Sequence, residues 1–301
     1  NQSMKNNRIP DISINILTYR TDKRILDNCI KSINISAPIN IIENSKKFKN
    51  ENFYKKSNKN IKIFCTKKNF GYAGGHNYGL SIAKTRYVLI CNPDVVFKKN
   101  YFKNIKKNIE EDLNFHVIGS QYLKKNMNKP AYGLFTSNTI NPKVPINNKG
   151  LQKVDWVVGC TMLIDLKKFS KKNIFDENFF LFYEENDLCK RIKSIGGLVY
   201  SSKKLIINHF GEKGSFATDP NLKLDYIKLR NWHLMWSSFY FQKKYRGFVT
   251  SFIIHFLTVI KSFLKFIIFF IFLKKESYTK HLYRFLGLMY SILGKGSSFR
   301  I

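Results

Sequence analysis

The chain has 301 residues, of which 44% are apolar and 15% aromatic, enough for one large domain or for a domain with a substantial appendage. This composition excludes a largely disordered chain. Lys and Arg total 52 against 20 Asp and Glu, and the formal net charge of +32 suits nucleic acid, an anionic membrane or phosphorylated substrates. A general bias toward Lys, Asn and Ile explains the charge equally well. Because the basic residues are spread along the chain and form no nucleic-acid-binding motif, we expect no nucleic-acid partner.

Strands and helices alternate over the first hundred residues. Alternating Ile12, Ile14 and Ile16 predict a strand over 11–17, and the apolar spacing over 22–33 predicts an amphipathic helix. Further strands are predicted at 39–42, 61–65 and 87–91, and a further helix at 77–84. This order predicts a doubly wound α/β sheet with mostly parallel strands. Residues 46–60 are expected to be exposed, and 124–150 to form a long loop.

Polar residues follow three of these strands, at the edge where such sheets bind ligands. They are Thr18 with Tyr19, Glu43 with Asn44, and Asn92 with Asp94. A glycine-rich stretch with Gly71, Gly74 and Gly75 is interpreted as a loop that lets a ligand approach the backbone. Its spacing does not match the dinucleotide-binding G-x-G-x-x-G pattern.

Two positions carry the residue types that metal and phosphate chemistry need. Asp94 closes an apolar strand, where a carboxylate can hold Mg²⁺ or Mn²⁺ against the two phosphates of a nucleotide. A turn-capping role is the alternative for Asp94. His209 follows an apolar run and is either a metal ligand, a phosphate donor or a structural histidine.

An acidic cluster follows the apolar and aromatic run 179–183. It consists of Glu184, Glu185 and Asp187. A partly buried carboxylate among aromatic rings has a raised pKa and can act as a general base. The alternative is that these acids only favour the N-terminus of a helix through its dipole.

The C-terminal part is helical and contains an apolar stretch over 252–272, long enough to span a bilayer. Lys261 and Lys265 fall in its middle, and each would cost about 3 kcal/mol at the centre of a membrane. Both lie on one helical stripe with Ser251, His255, Thr258 and Ser262. We therefore expect residues 249–273 to lie in the plane of an anionic membrane surface rather than span it, with packing on a soluble domain as the weaker alternative.

The five cysteines form no C-x-x-C pair and are expected to be buried free thiols in a reducing compartment. A structural zinc site is not expected. Residues 1–10 have no apolar run that would indicate a signal peptide.

Together these segments resemble glycosyltransferase family 2, of the GT-A fold, and within it the rhamnosyltransferase-like bacterial enzymes. The resemblance runs over about 12–232, and its most specific part is the run NFGYAGGHNYG at 69–79. The other matching segments are INILTYR at 14–20, IIENS at 41–45, Asn92-Pro93-Asp94, WVVGC at 156–160, FDENFF at 175–180, EENDLCKR at 184–191, His209 with Ser215, and Arg230-Asn231. Glu43 stands where the family usually has Asp, and Asn92 stands where the fuller Asp-x-Asp motif has its first aspartate.

The resemblance implies an α/β, GT-A type nucleotide-diphospho-sugar transferase with a mostly parallel central sheet flanked by helices. It implies a catalytic domain over 1–230 and a C-terminal helical, membrane-associated extension over 231–301. The reaction would be an inverting transfer from a dTDP- or UDP-sugar to a hydroxyl of a lipid-linked or cell-surface polysaccharide acceptor. We expect the enzyme to be cytoplasmic and peripheral on the inner face of a bacterial cell membrane.

The resemblance also implies roles for individual residues. Glu185 would be the catalytic base, with Asp187 as runner-up and Glu184 beside them. Asp94 and His209 would hold the divalent metal, Mg²⁺ or Mn²⁺, with few other protein ligands. The implied donor-binding residues are Thr18, Tyr19, Glu43, Asn44, Asn69, Gly71, Gly75, Asn77, Asn92 and Asp94. The implied acceptor-side residues are Trp156, Gly159 and Cys160.

Two other functions compete with this hypothesis. One is a non-catalytic, basic peripheral membrane or nucleic-acid-binding protein on a degenerate transferase fold. The other is a nucleotidyltransferase, which would carry a glycine-rich loop directly after the first strand, whereas residues 18–21 contain no glycine. Metal-dependent transfer or hydrolysis of a nucleotide sugar separates the enzyme from the non-catalytic protein.

Overall fold

The computed structural model describes residues 9–57, 60–111, 113–122, 131–135, 143–170, 173–211, 214–215 and 219–301. The expectation for the extreme N-terminus, and much of the loop predicted over 124–150, lie outside these residues. The chain packs as two units. The first comprises Asn1–Phe70, Gly74–Phe175 and Glu185–Ser215, and the second comprises Gly71–Ala73, Asp176–Glu184 and Phe216–Ile301. The domain boundary expected at residue 230 stays a prediction.

The first unit is built on a nine-stranded sheet. The strands of this unit are β1 Ile12–Thr18, β2 Ile39–Glu43, β3 Ile61–Cys65, β4 Tyr87–Cys91, β5 Val95–Phe97, β6 Val117–Tyr122, β7 Tyr132–Gly133, β8 Leu151–Lys153, β9 Trp156–Val157, β10 Thr161–Asp165 and β11 Val199–His209. The order in the large sheet is β3-β2-β1-β4-β10-β6-β11-β5, with β8 beside β11, while β7 and β9 pair separately. The first four strands are parallel, as predicted, and β10 enters antiparallel between β4 and β6.

The complete burial of β1, β2 and β4 explains why these early strands form. All seven residues of β1 and all five of β2 and of β4 are buried, the pattern of a strand covered on both faces.

The helices in the first hundred and ten residues are α1 Lys23–Lys31, α2 Glu51–Ser57, α3 Gly71–Ile82 and α4 Tyr101–Glu110. A further helix, α5, spans Glu184–Ser194. Pairing of β1 with β2 sets Thr18 directly opposite Glu43, so the polar strand ends meet at one edge of the sheet, as predicted.

Two local predictions were wrong. The stretch 46–60 is not simply exposed, because Tyr54 is buried and its hydroxyl donates a 2.6 Å hydrogen bond to Asp27. The glycine-rich stretch is helical and begins α3. A Cβ atom at Gly75 would lie 2.5 Å from Leu17, and one at Gly79 would lie 2.9 Å from Asn15. These glycines therefore let the helix lie close to β1, a packing requirement that a sequence pattern does not distinguish from ligand approach.

The second unit contains helices α6, Lys223–Ile271, and α7, Lys275–Ile292. Helix α6 is interrupted at Gly247, whose φ of 79° and ψ of 169° are not helical. The Ser238 hydroxyl lies 2.9 Å from the His255 ring, and the Phe239 ring contacts both Phe248 and His255. These contacts mean that α6 folds back on itself as two antiparallel arms, 223–246 and 248–271.

Helix α7 packs against the second arm of α6 in the opposite direction. Phe263 contacts Phe285, and further along Phe269 stacks on His281 with ring centroids 5.5 Å apart. The Gly287 position touches the Trp232 backbone, where a Cβ would lie 2.2 Å from the carbonyl oxygen. The second arm is about 36 Å long at 1.5 Å per residue, the length of a bilayer core.

The second arm turns its polar side inward. Ser251, His255 and Ser262 of the predicted polar stripe are buried, whereas Lys261 and Lys265 are exposed. The stripe is therefore divided between the interior of this unit and its surface. The exposed apolar residues of this arm, which we call the apolar face, are Phe248, Val249, Phe252, Ile253, Ile254, Phe256, Leu257, Ile260, Phe263, Leu264, Ile267, Ile268, Phe270 and Ile271. By length and composition the helix could cross a membrane, and little of its apolar stretch is buried within the structure.

Gly119→Ala tests the packing of the strand that leads toward the site. A Cβ at Gly119 in β6 would lie 2.4 Å from the Val157 side chain in β9, so we expect this substitution to destabilise the protein by roughly 1–3 kcal/mol. Thermal unfolding followed by circular dichroism measures the effect. Gly296→Ala is the matched control, because its added methyl meets nothing within 4 Å. Equal melting temperatures for the two variants would contradict the tight packing at Gly119.

Candidate active site at the carboxyl edge of the sheet

A carboxylate held by three donors marks the end of β2. Glu43 is 1% exposed, and its Oε2 accepts a 2.7 Å hydrogen bond from the Thr18 hydroxyl. Its Oε1 accepts hydrogen bonds from the Ser45 hydroxyl at 2.6 Å and from the Arg20 N–H at 3.3 Å. These bonds compensate the cost of burying the carboxylate and fix its orientation. Glu43, one of the predicted donor-binding residues, therefore has a defined geometry at the end of β2.

The neighbouring asparagines hold main chain in place. Asn44 Oδ1 accepts from the Phe70 N–H and from the Thr66 hydroxyl, both at 3.0 Å, and its Nδ2 donates to Asn69. Asn77 Nδ2 donates to the Phe175 carbonyl and its Oδ1 accepts from the Phe175 N–H, both at 2.9 Å. The Asn77 amide therefore clamps the segment before the acidic cluster, and its contact with a donor stays a prediction.

Asp94 and His209 are brought together by strand pairing. Antiparallel pairing of β5 with β11 sets Val95 opposite His209, and the Phe210 N–H donates to the Asp94 carbonyl at 3.1 Å. As a result, His209 Nε2 lies 3.4 Å from Asp94 Oδ1, although the two residues are far apart in sequence. Asp94 is 2% exposed, so the pair lies inside the fold rather than on its surface.

These two side chains fit a divalent cation. A carboxylate oxygen and an imidazole nitrogen are both ligands of Mn²⁺ and related ions. The backbone of Gly214 passes beside them, and a Cβ there would lie 3.2 Å from Asp94 Oδ1, so the absence of a side chain keeps the approach to the carboxylate open. Within the described part of the chain, no group of three His, Cys, Asp or Glu side chains suits a metal. The protein would therefore supply few ligands to such an ion.

The loop after β11 is tied to the end of β1. Tyr19 and Ser215 form an isolated parallel bridge, and the Thr21 hydroxyl donates a 2.6 Å hydrogen bond to the Gly214 carbonyl. This arrangement places the predicted nucleotide-binding end of β1 and the Asp94 pair at one edge of the same unit. It also explains the placement of Ser215, which belonged to the family pattern.

Tyr122, at the end of β6, belongs to the site although no sequence motif indicated it. Its ring stacks on His209 with centroids 5.7 Å apart and planes at 19°. The Cys160 thiol donates to its hydroxyl oxygen at 3.5 Å. Burial raises the pKa of Tyr122, and the carboxylate charges of Glu185 and Asp94 act in the same direction. Both acids therefore lie within electrostatic reach of one buried phenol, and a polar residue at a strand end was the signal available in the sequence.

The three acids of the cluster have different surroundings. Asp187 is fully buried, and its Oδ2 accepts a 2.8 Å hydrogen bond from Arg191. Glu185 keeps some exposure as a residue, but its Oε2 atom is buried and has no hydrogen-bond partner within the described residues. Burial raises the pKa of Glu185 to about 7, against the opposing effect of backbone N–H groups at the start of α5. Glu184 begins the helix and belongs to the second unit.

The segment that precedes these acids has an unusual backbone. Phe182 and Tyr183 have φ values of 71° and 67°, a left-handed conformation that costs about 1–2 kcal/mol for each residue with a side chain. Contacts within the second unit hold it: the Ser237 hydroxyl donates to the Leu181 carbonyl at 2.9 Å, and Arg230 lies over the Phe182 ring. Strain of this kind concentrates at functional sites.

Gly71 is explained by the same segment. Its φ is +75°, and a Cβ there would lie 2.1 Å from the carbonyl oxygen of Phe180, so this position requires glycine.

Among the acceptor-side residues, Cys160 lies beside Tyr122, whereas Trp156 packs over Gly133 in the small β7–β9 sheet. The structure brings Cys160 near Asp94, but among the described residues it shows no contact of Trp156 with Asp94 or Glu185.

The likeness to a solved structure defines the fold class of this protein. A solved mannosyltransferase, PcManGT from Pyrobaculum calidifontis in complex with GDP-Man and Mn²⁺, superposes with a TM-score of 0.54 at 9% identity, covering 96% of this chain and 88% of that one. This likeness shows the fold, which is the GT-A type: a mixed, mostly parallel central sheet with flanking helices and a long apolar C-terminal helix.

Sequence comparison then names the family. The profile of Glycosyl transferase family 2 matches residues 44–171. The low-salt glycan biosynthesis hexosyltransferase Agl10 of Haloferax volcanii is 27% identical over 195 residues, 62% of this chain and 62% of the relative. The rhamnosyltransferase WbbL of Escherichia coli K12 is 24% identical over 149 residues, 42% of this chain and 56% of the relative. The chain thus spans less than two thirds of either relative, and its residues 44–171 are similar to glycosyltransferase family 2.

Tyr122→Leu tests whether the stacked ring orients His209. Loss of one aromatic pair is worth about 0.5–1.5 kcal/mol, so we expect the transfer rate to fall by roughly 2- to 10-fold. The KM for a nucleotide sugar and kcat are measured separately, with melting temperature as a check on folding. Tyr122→Phe keeps the ring and should stay within about twofold of the wild type. Equal losses in both variants would show that the hydroxyl, rather than the stacking, matters.

Proposed function

We propose that this protein transfers a sugar from a nucleotide-diphosphate donor to an acceptor hydroxyl with inversion at the sugar carbon. One observation supports this function above the others: a buried, unpartnered Glu185 oxygen shares its electrostatic environment with the Asp94–His209 pair. A single displacement needs a base for the acceptor hydroxyl and, in the same active site, a place for the leaving diphosphate. The non-catalytic alternative gives no reason to bury a carboxylate oxygen without a hydrogen-bond partner, which costs free energy.

Glu185 is the base in this mechanism. With a pKa of about 7, its carboxylate is available near neutral pH and still accepts a proton from a hydroxyl as that oxygen becomes nucleophilic. Asp187 is a weaker candidate, because its oxygen already accepts from Arg191, which in turn donates to the Ile174 carbonyl. Asp187 would instead orient α5, on which Glu185 lies.

The donor is held at the carboxyl edge of the sheet. Thr18, Tyr19 and the fixed Glu43 carboxylate would bind the nucleoside, and the main chain around Asn44 and Asn69 would line the same edge. Asp94 and His209 would hold a divalent ion, Mg²⁺ or Mn²⁺, which neutralises the charge that builds on the departing diphosphate. The mannosyltransferase with the same fold was solved with GDP-Man and Mn²⁺, which supports this arrangement.

The acceptor is proposed from the relatives and from the second unit. One relative is a hexosyltransferase of glycan biosynthesis and the other is a rhamnosyltransferase, which supports transfer of a hexosyl or rhamnosyl group. We propose a dTDP- or UDP-sugar as the donor and a lipid-linked or cell-surface polysaccharide as the acceptor. The apolar face suits an acceptor that is anchored in lipid. We propose that residues 249–273 place the enzyme on the inner face of a cell membrane, lying along it because Lys261 and Lys265 are exposed on the arm.

Glu185→Gln tests the base. Removal of a general base typically costs 10²- to 10⁴-fold, so we expect turnover to fall by about that factor while nucleotide binding stays unchanged. A panel of nucleotide sugars with Mg²⁺ or Mn²⁺, product analysis and calorimetry of nucleoside diphosphate binding measure the two properties.

The pH dependence provides the control for this substitution. The wild-type rate should rise with pH through about 7 as Glu185 loses its proton, and the residual rate of Glu185→Gln should not show that step. Because burial raises this pKa from its ordinary value of 4.5 to about 7, the wild type loses stability as pH rises from about 4.5 to about 7. The variant should therefore gain stability over the wild type as pH rises. Turnover at the wild-type level would remove Glu185 from the role.

Asp94→Asn tests the leaving-group site with almost no change in side-chain size. We expect a loss of at least about tenfold in transfer, because a neutral amide holds a divalent cation far more weakly than a carboxylate does. Mn²⁺ titrations of the rate, before and after treatment with a chelator, measure the dependence. Asp22→Asn, at an exposed helix N-cap, is the matched control. An unchanged Mn²⁺ dependence in Asp94→Asn would mean that the ion is held elsewhere.

A further inference from the structure

A group of basic side chains lies between the second arm of α6 and α7. It consists of Lys265 on the arm and of Lys280, His281 and Arg284 on α7, and we call it the basic cluster. The contacts of Phe263 with Phe285 and of Phe269 with His281 set the register of the two helices, which brings Lys265 alongside Arg284. Lys265 and Lys280 are exposed, and the other two side chains are partly buried.

The buried atoms of the cluster have no counter-charge. His281 Nδ1 and Arg284 Nε are both buried and have no hydrogen-bond partner within the described residues. Burial, together with the charges of Arg284, Lys265 and Lys280, lowers the pKa of His281 to about 4, so the charged groups that act on this ring among the described residues are cationic. A carboxylate on the same helix, Glu276, is 2.6 Å from Lys223.

This arrangement is costly unless an anion completes it. Burial also lowers the pKa of Arg284, and its Nε atom is buried without a hydrogen-bond partner within the described residues. Guanidinium groups bind phosphate through two parallel hydrogen bonds, and Lys adds a flexible point charge. The chemistry that satisfies the cluster is therefore that of a phosphate group.

The surroundings indicate where such a phosphate comes from. Phe269, stacked on His281, and Phe270, in contact with Tyr278, continue the apolar surface next to the basic cluster. Phe263, Leu264, Ile267 and Ile268 of the same arm are exposed around Lys265. Exposed apolar side chains beside unpartnered cations match a molecule with an apolar tail and a phosphate head, as at a membrane interface.

We propose that the basic cluster binds the phosphate of a lipid head group with a net negative charge, in which no ammonium group competes for that phosphate, while the apolar face lies among the acyl chains. This site rests on the proposed membrane association, and it makes that association selective for anionic lipid. Lys265, Lys280 and Arg284 contact the phosphate, and the His281 ring, which Phe269 holds in place, forms the wall of the site.

Vesicle flotation with the full chain tests the site. Binding is measured on vesicles of phosphatidylcholine and on vesicles of phosphatidylcholine mixed with phosphatidylglycerol, for the wild type and for the triple variant K265Q/K280Q/R284Q. At about 1 kcal/mol per basic residue at a surface, we expect the triple variant to lose roughly 100-fold in affinity for the anionic vesicles. Binding to phosphatidylcholine alone should change little.

The matched control removes the same three charges from exposed lysines of the first unit, as K84Q/K98Q/K103Q. It should keep most of the preference for anionic vesicles. Equal losses in the two triple variants would overturn the site, because net charge alone would then account for binding. The same preference in K265Q/K280Q/R284Q as in the wild type would also overturn it.

Two further measurements distinguish this proposal from misfolding of the triple variant and from a site for free anions. The double variant K265Q/K280Q changes only exposed side chains, so it should fold normally and still lose preference for anionic vesicles; an unchanged preference would overturn the site. Inorganic phosphate, added at constant ionic strength, should not displace the protein from anionic vesicles, and displacement would indicate a free-anion site instead. Transfer to a soluble acceptor tests the proposed function independently, because no vesicle is present.

Discussion

The antiparallel pairing of β5 with β11 is the constraint on which the candidate site depends. It brings His209 within 3.4 Å of Asp94, and β6, beside β11, adds the Tyr122 ring that stacks on His209. Burial of Asp94 and partial burial of His209 and Tyr122 exclude water, which strengthens the electrostatic interactions among them. Burial likewise raises the pKa of Glu185. A change in this pairing would separate Asp94 from His209 without altering any motif.

The second unit reverses the usual distribution of polar and apolar side chains in a surface helix. Ser251, His255 and Ser262 are buried, where Ser251 and His255 hydrogen bond within α6, and the large apolar residues of the same arm face outward. Water would oppose this arrangement, whereas acyl chains would favour it. The hairpin at Gly247 makes it possible, because the first arm and α7 cover the polar side of the second arm. The unpartnered cations near Phe269 are then placed as an interface would require.

Much of the first unit was predictable from local pattern. The early strands were predicted because continuous apolar runs end at turn residues, and Thr18, Glu43 and Asp94 were predicted because parallel strands end at one edge of a sheet. The helix that begins at Gly71 was missed, because glycine has low helix propensity and only close packing on β1 explains its presence. Tyr122 was missed because its importance comes from residues that are distant in sequence, and the fold-back of α6 was missed because apolar periodicity does not reveal a reversal of direction.

The sequence by itself determined the resemblance to glycosyltransferase family 2, the parallel half of the sheet and the types of residue available for chemistry, since these depend on local order and composition. Only the tertiary structure decided which residues meet. It joined Asp94 to His209, distinguished Glu185 from Asp187 by the Arg191 contact, and turned the polar side of the C-terminal helix inward. The physical reason is that burial and pairing are properties of the assembled chain: a carboxylate acquires its pKa, and a cation its lack of a partner, from neighbours that arrive only when the chain folds.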